Sequence, residues 1–347
     1  MDKRYEKTSR RFDQQEPQSR EMAMEADIFA GGRLSSPSAD GPESGFDPHY
    51  LAAKKSIDDR ALNRYVWTEL CQALPQTRGG EPANIVEIGA GIGTMLARMV
   101  DWGLLTGPAT YLATDCDAGH LRHAQRYLAA WADERGYTLH WSEQQRGRLC
   151  TAQAEIALVF ETVRAEEVAC RTESRGTFHL VIAHAVLDLI DLSVVLPGLL
   201  SQLTNNGLAY FTCNFDGATL FLPEAPGGEE QEILRRYHAS MEARLTGASR
   251  TGRRLLSMLQ GPGLELLAAG SSDWVIHPRN ETYSGDEVLF LHALIANVEQ
   301  ELAGKSGPAP SGLAAWARTR HQQVEVGALT FLAPNLDLLA RRRSSLP

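Results

Sequence analysis

The run Asn84-Ile85-Val86-Glu87-Ile88-Gly89-Ala90-Gly91-Ile92-Gly93-Thr94 constrains the fold of this chain more than any other stretch. An apolar segment ends near an acidic residue, a glycine-rich turn follows, and Met95, Leu96, Met99 and Val100 then recur at helical spacing. The pattern predicts a strand, a tight turn and a helix. Small residues in such a turn let backbone N–H groups come close to a ligand.

The same alternation continues along the chain. Strands are expected at Ile85–Ile88, Tyr111–Thr114, within Ile156–Val163, at Phe178–Ala183 and at Leu208–Cys213. Helices are expected between them, one of them through Leu121, Ala124, Tyr127, Leu128 and Trp131 and another over Val194–Leu203. Phe178–Ala183 is almost wholly apolar, as a strand buried on both faces should be. Strands alternating with helices define an α/β class, a Rossmann-like doubly wound sheet that is mostly parallel. Leu264–Ala268, extended by Trp274–Ile276, is expected as a sixth strand. Ala328–Leu332, set off by Gly327 and Pro334, is expected as a seventh. Upstream, Ala61, Leu62, Tyr65, Val66, Leu70 and Leu74 predict one helix, ended by Pro75 and Gly79-Gly80.

Residues 1–45 are polar, charged and rich in Ser, Pro and Gly, and are expected to be a disordered tail. Residues 46–347 are expected to form one domain. Within it 217–254 is a helical, lid-like insertion after strand five, helical from Glu229 to Leu245, above the carboxyl ends of the strands. A net charge of −9 disfavours a general nucleic-acid binder or a binder of anionic membranes. The N-terminus has no apolar signal region, and the apolar stretch around 180–200 is broken by His184, Asp188, Asp191 and Pro197. Five scattered cysteines without a C-x-x-C pair indicate neither a disulfide framework nor a zinc site, and a reducing cytoplasm fits them best.

Glycine spacing alone leaves several nucleotide-type ligands open. A nicotinamide fingerprint, G-x-G-x-x-G, is disfavoured because the third glycine here comes one residue early. Asp115, about twenty residues after the turn, ends the second strand, where a carboxylate accepts from ribose hydroxyls. It can also cap the following helix, a role for which Asp117 is better placed.

The pattern Glu87-x-Gly89-x-Gly91-x-Gly93 resembles the first motif of the class I S-adenosylmethionine-dependent methyltransferases, and the wider pattern resembles bacterial methyltransferase-like sequences without a settled substrate. The resemblance runs from about Phe46 to Leu339. It implies a seven-stranded sheet with an antiparallel last strand, approached through Arg320–Leu329, and S-adenosylmethionine as cofactor. It places Glu87 near the methionine part of that cofactor, Gly89, Ala90, Gly91 and Gly93 in the turn, and Asp115 and Cys116 at the ribose. Ala183 and His184, at the end of strand four, would face the sulfonium. Members of the family often carry an acidic adenine contact after strand three. Here Arg164 holds that position, before Ala165-Glu166-Glu167, leaving Glu161 or backbone N–H groups as substitutes.

Methyl transfer from a sulfonium is an in-line displacement for which the protein chiefly aligns the reactants. A base is needed only where the nucleophile must lose a proton, and His184 is the best-placed catalytic residue for that. In the insertion, 235–254 holds six arginines against one glutamate. Tyr237, Met241 and Arg244 share a helix face there. Asn214 and Asp216, just past strand five, are expected beside them. Two readings of the arginines stay open, a solvated basic helix face and a lid that recognises a small anionic substrate. The leading reading is therefore an enzyme that methylates a small molecule. The alternative is a non-catalytic cofactor- or nucleotide-binding protein of the same fold. Oligomeric state stays open, a homodimer included.

Overall fold

In the computed structural model, residues 47–343 are described, apart from 144, 226–227, 246 and 305–307; the expected tail, 1–45, lies outside them. Helices α1 (Pro48–Ala61) and α2 (Arg64–Arg78) come first. They replace the single helix expected from Ala61 onward. The chain leaves helical geometry at Leu62, and Asn63 restarts it by accepting from the N–H groups of Tyr65 and Val66, both at 3.1 Å. Pro75 lies inside α2 and does not end it; Gly79, left-handed at φ 57°, does.

Then follow β1 (Ala83–Ile88), α3 (Thr94–Asp101), β2 (Ala109–Asp115), α4 (Ala118–Glu134), β3 (Thr138–Glu143), β4 (Arg146–Cys150), β5 (Glu155–Thr162), α5 (Ala165–Cys170), β6 (Phe178–His184), α6 (Leu192–Ser201) and β7 (Leu203–Phe215). The remainder holds β8 (Leu220–Leu222), α7 (Glu229–Arg244), α8 (Thr251–Met258), β9 (Leu264–Ser271), β10 (Trp274–Ile276), α9 (Gly285–Gly304), α10 (Leu313–Glu325), β11 (Thr330–Ala333) and β12 (Asn335–Arg342).

The main sheet runs β3-β4-β5-β2-β1-β6-β7-β12-β9. Strands β5, β2, β1, β6 and β7 are parallel, and β12 lies antiparallel between β7 and β9. It has nine strands rather than the expected seven, because the hairpin β3–β4 adds two antiparallel strands at the β5 edge. In β4 only Leu149 is buried, so the hairpin leaves little hydrophobic signal. Two expected strands are also reassigned. Ala328–Leu332 falls largely on β11 and Trp274–Ile276 is β10, and both belong to a separate three-stranded sheet, β10-β11-β8. The antiparallel strand of the main sheet is Asn335–Arg342, beyond Pro334. Arg320–Glu325, expected to lead into that strand, is the end of α10.

Alternate residues of the parallel strands feed two cores. Ile85, Tyr111, Leu180, Ile182 and Tyr210 pack with Leu70, Leu96 and Leu128 on one face. Val86, Ile88, Val181 and Phe211 pack with Val195, Leu199 and Leu255 on the other. A third cluster, around Phe221, Phe290, Trp316 and Phe331, joins the small sheet to α7, α9 and α10. The parallel order reverses at β1, with β2 on one side and β6 on the other. The carboxyl ends of strands diverge at such a switch point and leave a crevice.

Candidate functional site

A cavity of about 310 Å³ occupies that crevice. Its floor is the turn after β1. The Ala90 N–H donates to Thr114 O and the Gly91 N–H to Asp115 Oδ2, both at 2.8 Å, so the turn is clasped onto the end of β2. Gly89, Gly91 and Gly93 are all left-handed, with φ of 67°, 54° and 80°. They differ in what surrounds them. A Cβ on Gly89 would sit 2.6 Å from Val186 Cγ2, and one on Gly93 3.1 Å from Leu128 Cδ1. A Cβ on Gly91 would meet only Leu51, at 3.5 Å. Gly91 is thus the glycine that presents bare backbone to the cavity. Gly93, expected to touch the cofactor, instead packs against α4 and does not line it.

Asp115 is buried and lines the cavity. Besides Gly91, it accepts from the Asp117 N–H at Oδ1 (2.9 Å), and His120 Nδ1 lies 3.4 Å away. His120 is at Oδ1, so Oδ2, engaged among the described residues by Gly91 alone, retains a second lone pair for a ligand hydroxyl. Asp117 caps α4 by accepting from the Gly119 N–H at 2.6 Å, so the capping role falls on Asp117 rather than Asp115. Glu87 is 1% exposed and accepts from the Tyr111 hydroxyl at 2.5 Å; burial raises its carboxyl to about 7.

Cys116, Arg164 and Ala165 line the same end of the cavity. Arg164 is the residue before α5, and its half-exposed guanidinium pairs with Glu166 at 3.3 Å. Glu161, the expected substitute for an acidic adenine contact, is bound by both guanidinium nitrogens of Arg171 and does not line the cavity. Ala183 is enclosed in the core beneath the site rather than on its wall.

His184 does line the cavity, within a buried polar cluster. Its Nε2 is 2.9 Å from Asp58 Oδ2 and its Nδ1 2.8 Å from Thr212 Oγ1. Lys54, Trp274 Nε1 and His184 all hydrogen-bond to Asp58 (2.6, 3.0 and 2.9 Å). The Lys54 charge, the His184 hydrogen bond and the Arg98 charge together outweigh burial and hold the Asp58 carboxyl well below its ordinary value. An ionised carboxylate only accepts, so His184 Nε2 carries the proton and Nδ1 accepts from the Thr212 hydroxyl. Burial lowers His184 to about 4, so the ring is neutral with both nitrogens engaged. That geometry does not present His184 as a base to a ligand. Ligand atoms of Asp58, His184 and Cys213 also come within 4.8 Å of one another, a spacing that a metal ion would accept. The Lys54 ammonium already supplies the cation at Asp58.

Lys54 and Asp58 were not marked by the sequence. Their i,i+4 spacing in α1 looks like an ordinary surface pair, and the partners of Asp58 lie 126 and 216 residues away. Cys213 and Ala185, at the ends of β7 and β6, are both left-handed (φ 52° and 51°), strain of a kind that gathers at functional sites.

The far half of the cavity is largely aromatic. Tyr237 and Met241 of α7 line it, as expected, with Tyr50, Phe215 and Trp274. The rest of the expected substrate set lies elsewhere. Asn214 is buried and ties β7 to Leu336 O (2.8 Å), Asp216 pairs with Arg253 (2.8 Å), and Arg244, with a half-exposed side chain, pairs with Glu301 (3.5 Å). Arg235 and Arg236 both pair with Glu232. No arginine of 235–254 lines the cavity, and of the two readings left open for them these ion pairs fit the solvated basic helix face.

No protein-family model matches the chain, and no curated protein matches it. Several solved structures resemble it loosely. One is assigned as a sarcosine dimethylglycine methyltransferase from Galdieria sulphuraria, with TM-score 0.40 and 14% identity over 85% of this chain and 89% of that one. Another is a phosphoethanolamine N-methyltransferase 2 from Haemonchus contortus, with TM-score 0.40 and 14% identity over 87% of this chain, which spans only 59% of that one. A third is geranyl diphosphate C-methyltransferase from Streptomyces coelicolor A3(2), with TM-score 0.36 and 12% identity over 78% and 76% of the two chains. Likenesses this loose carry no argument about function, which rests on the geometry of the site. Among the described residues no helix is long and apolar enough to cross a membrane.

Proposed function

We propose that the chain is an S-adenosylmethionine-dependent methyltransferase acting on a small molecule. The observation that carries this reading is the clasp between the Gly91 N–H and Asp115 at the switch point of the sheet. It sets bare backbone and a buried carboxylate side by side at the cavity floor. Asp115 accepts from the ribose, chiefly at Oδ2. Cys116, Arg164 and Ala165 flank the adenine, and Glu87 closes the methionine end. The bound cofactor supplies an activated methyl group on a sulfonium. The residues of the chain hold the two reactants in line and keep water out, which the apolar walls at Ile88, Val163 and Val186 favour. His184 acts as a positioning residue, tying β6 to α1 through Asp58.

Calorimetric titration with S-adenosylhomocysteine and with NAD tests the reading. Stoichiometric binding of S-adenosylhomocysteine and none of NAD is expected. NAD binding without S-adenosylhomocysteine binding overturns it. Tight binding with no methyl transfer to any of a broad panel of metabolites favours the non-catalytic alternative.

A further inference from the structure

The aromatic half of the cavity has a polarity that indicates its occupant. Lys54 is the cation among its walls, and Asp58 engages it at 2.6 Å. The other polar groups there are acceptors with capacity to spare. Asp188, in the short 3-10 turn Leu187–Leu189 after β6, lines the cavity. Its carboxylate is partly buried and accepts a hydrogen bond from its own backbone N–H, which leaves acceptor capacity toward the cavity. Asn335, 1% exposed, lines it too; its Nδ2 donates to Ala333 O at 3.0 Å while its Oδ1 has no partner among the described residues. A ligand that brings donors to the remaining lone pairs of Asp188 gains hydrogen bonds there.

We propose, resting on the methyltransferase reading above, that the methyl acceptor is a largely apolar molecule bearing an N–H or O–H group, and not an anion, and that Asp188 receives the proton it sheds. An anion here would meet the Asp188 carboxylate, while the Lys54 charge is already matched by Asp58. Asp188 is also well placed relative to the cofactor end. Val186 packs against the Gly89 turn, and Asp188 follows two residues later. In the step, the lone pair of the nitrogen or oxygen forms the new bond to the methyl carbon. The carbon–sulfur bond breaks with its electron pair going to sulfur, and the N–H or O–H proton passes to the Asp188 carboxylate. Burial raises the affinity of that carboxylate for a proton, against the opposing pull of its own backbone N–H, Lys54 and Arg244.

Three probes that differ only in the polar head test this: 2-phenylethylamine, 2-phenylethanol and 3-phenylpropionate, titrated into the S-adenosylhomocysteine complex. The amine and the alcohol are expected to bind, with the carboxylate at least tenfold weaker. Asp188→Asn should abolish the preference for the amine while the melting temperature and S-adenosylhomocysteine affinity stay unchanged. Should Asn at 188 disturb folding, the probe series on the native chain decides alone. Binding of the carboxylate as tight as that of the amine overturns the proposal. So does binding of none of the three by a chain that binds S-adenosylhomocysteine, or a folded Asp188→Asn chain that keeps the preference. Failure to bind S-adenosylhomocysteine at all refutes the methyltransferase reading instead, so the two failures are distinct.

Discussion

Asp115→Asn separates cofactor binding from architecture. The carboxylate accepts from the Gly91 N–H at one oxygen and from the Asp117 N–H at the other, at 2.8 and 2.9 Å. An amide has only one oxygen, so its NH2 must oppose one of these backbone donors. A buried donor left unmatched costs about 1–3 kcal/mol. For a chain of this size that lowers the melting temperature by roughly 2–12 °C. Charge-assisted bonds to the ribose hydroxyls are lost as well, about 1.5–3 kcal/mol, which raises the S-adenosylhomocysteine dissociation constant some ten- to hundredfold. Calorimetry and thermal melting on the same preparations read both effects. Asp117→Asn is the control, because its Oδ1 can still accept from the Gly119 N–H, and it should leave cofactor affinity unchanged. A lower melting temperature with unaltered S-adenosylhomocysteine affinity in Asp115→Asn would refute the reasoning and leave Asp115 as a clasp alone.

Gly91→Val should remove S-adenosylhomocysteine binding with only a modest loss of stability. The branched side chain enters open cavity rather than a neighbour, at a left-handed φ that costs on the order of 1–3 kcal/mol; normal binding in a calorimeter would place the cofactor elsewhere. Glu87 carries a folded-state value of about 7, above its ordinary 4.5, so folding holds its proton more tightly and its stabilising effect fades as pH rises through 7. Glu87→Gln should therefore melt higher than the native chain above pH 7, with the gap closing below about pH 4.5; a gap independent of pH contradicts the burial argument. Asp58→Asn leaves Lys54 buried without its counter-charge, a loss of about 3–5 kcal/mol and on the order of 10 °C in melting temperature. Lys54→Met in the same chain should restore part of it, and melts showing no restoration argue against the pair. Arg244→Ala removes a half-exposed pair and should change stability by no more than about 1 kcal/mol and leave S-adenosylhomocysteine affinity alone, as melting and calorimetry would show.

The proposed cofactor end of the site is local in sequence, so the residues that meet there show in the sequence itself. The turn after β1 and the carboxylate ending β2 are neighbours through one parallel strand pair. Hydrophobic periodicity marks those strands because both of their faces are buried. The aromatic end is assembled from residues far apart. Asp58 meets His184 and Trp274 only through tertiary packing, and nothing in the composition of α1 distinguishes that carboxylate from a surface one. The arginines of 235–254 show the converse. A dense charge run looked functional, yet acidic partners at Glu232, Glu301 and Asp216 hold four of its arginines away from the cavity. The last strand was misplaced because two short apolar runs flank Pro334. The second carries Asp337 and ends in Arg341 and Arg342, so it looks less like a buried strand than the first. In the fold Asp337 is wholly buried, accepting from the Asn63 and Cys213 N–H groups, both at 2.8 Å.

A crystal structure of the chain with S-adenosylhomocysteine tests the central claim most directly. Expected are the ribose hydroxyls within hydrogen-bond distance of Asp115, the ligand against the Gly91 backbone, and the sulfur opening toward the aromatic half lined by Tyr237 and Trp274. A ligand bound away from the Gly91–Asp115 clasp, or bound there with its sulfur sealed off from that half, would contradict it.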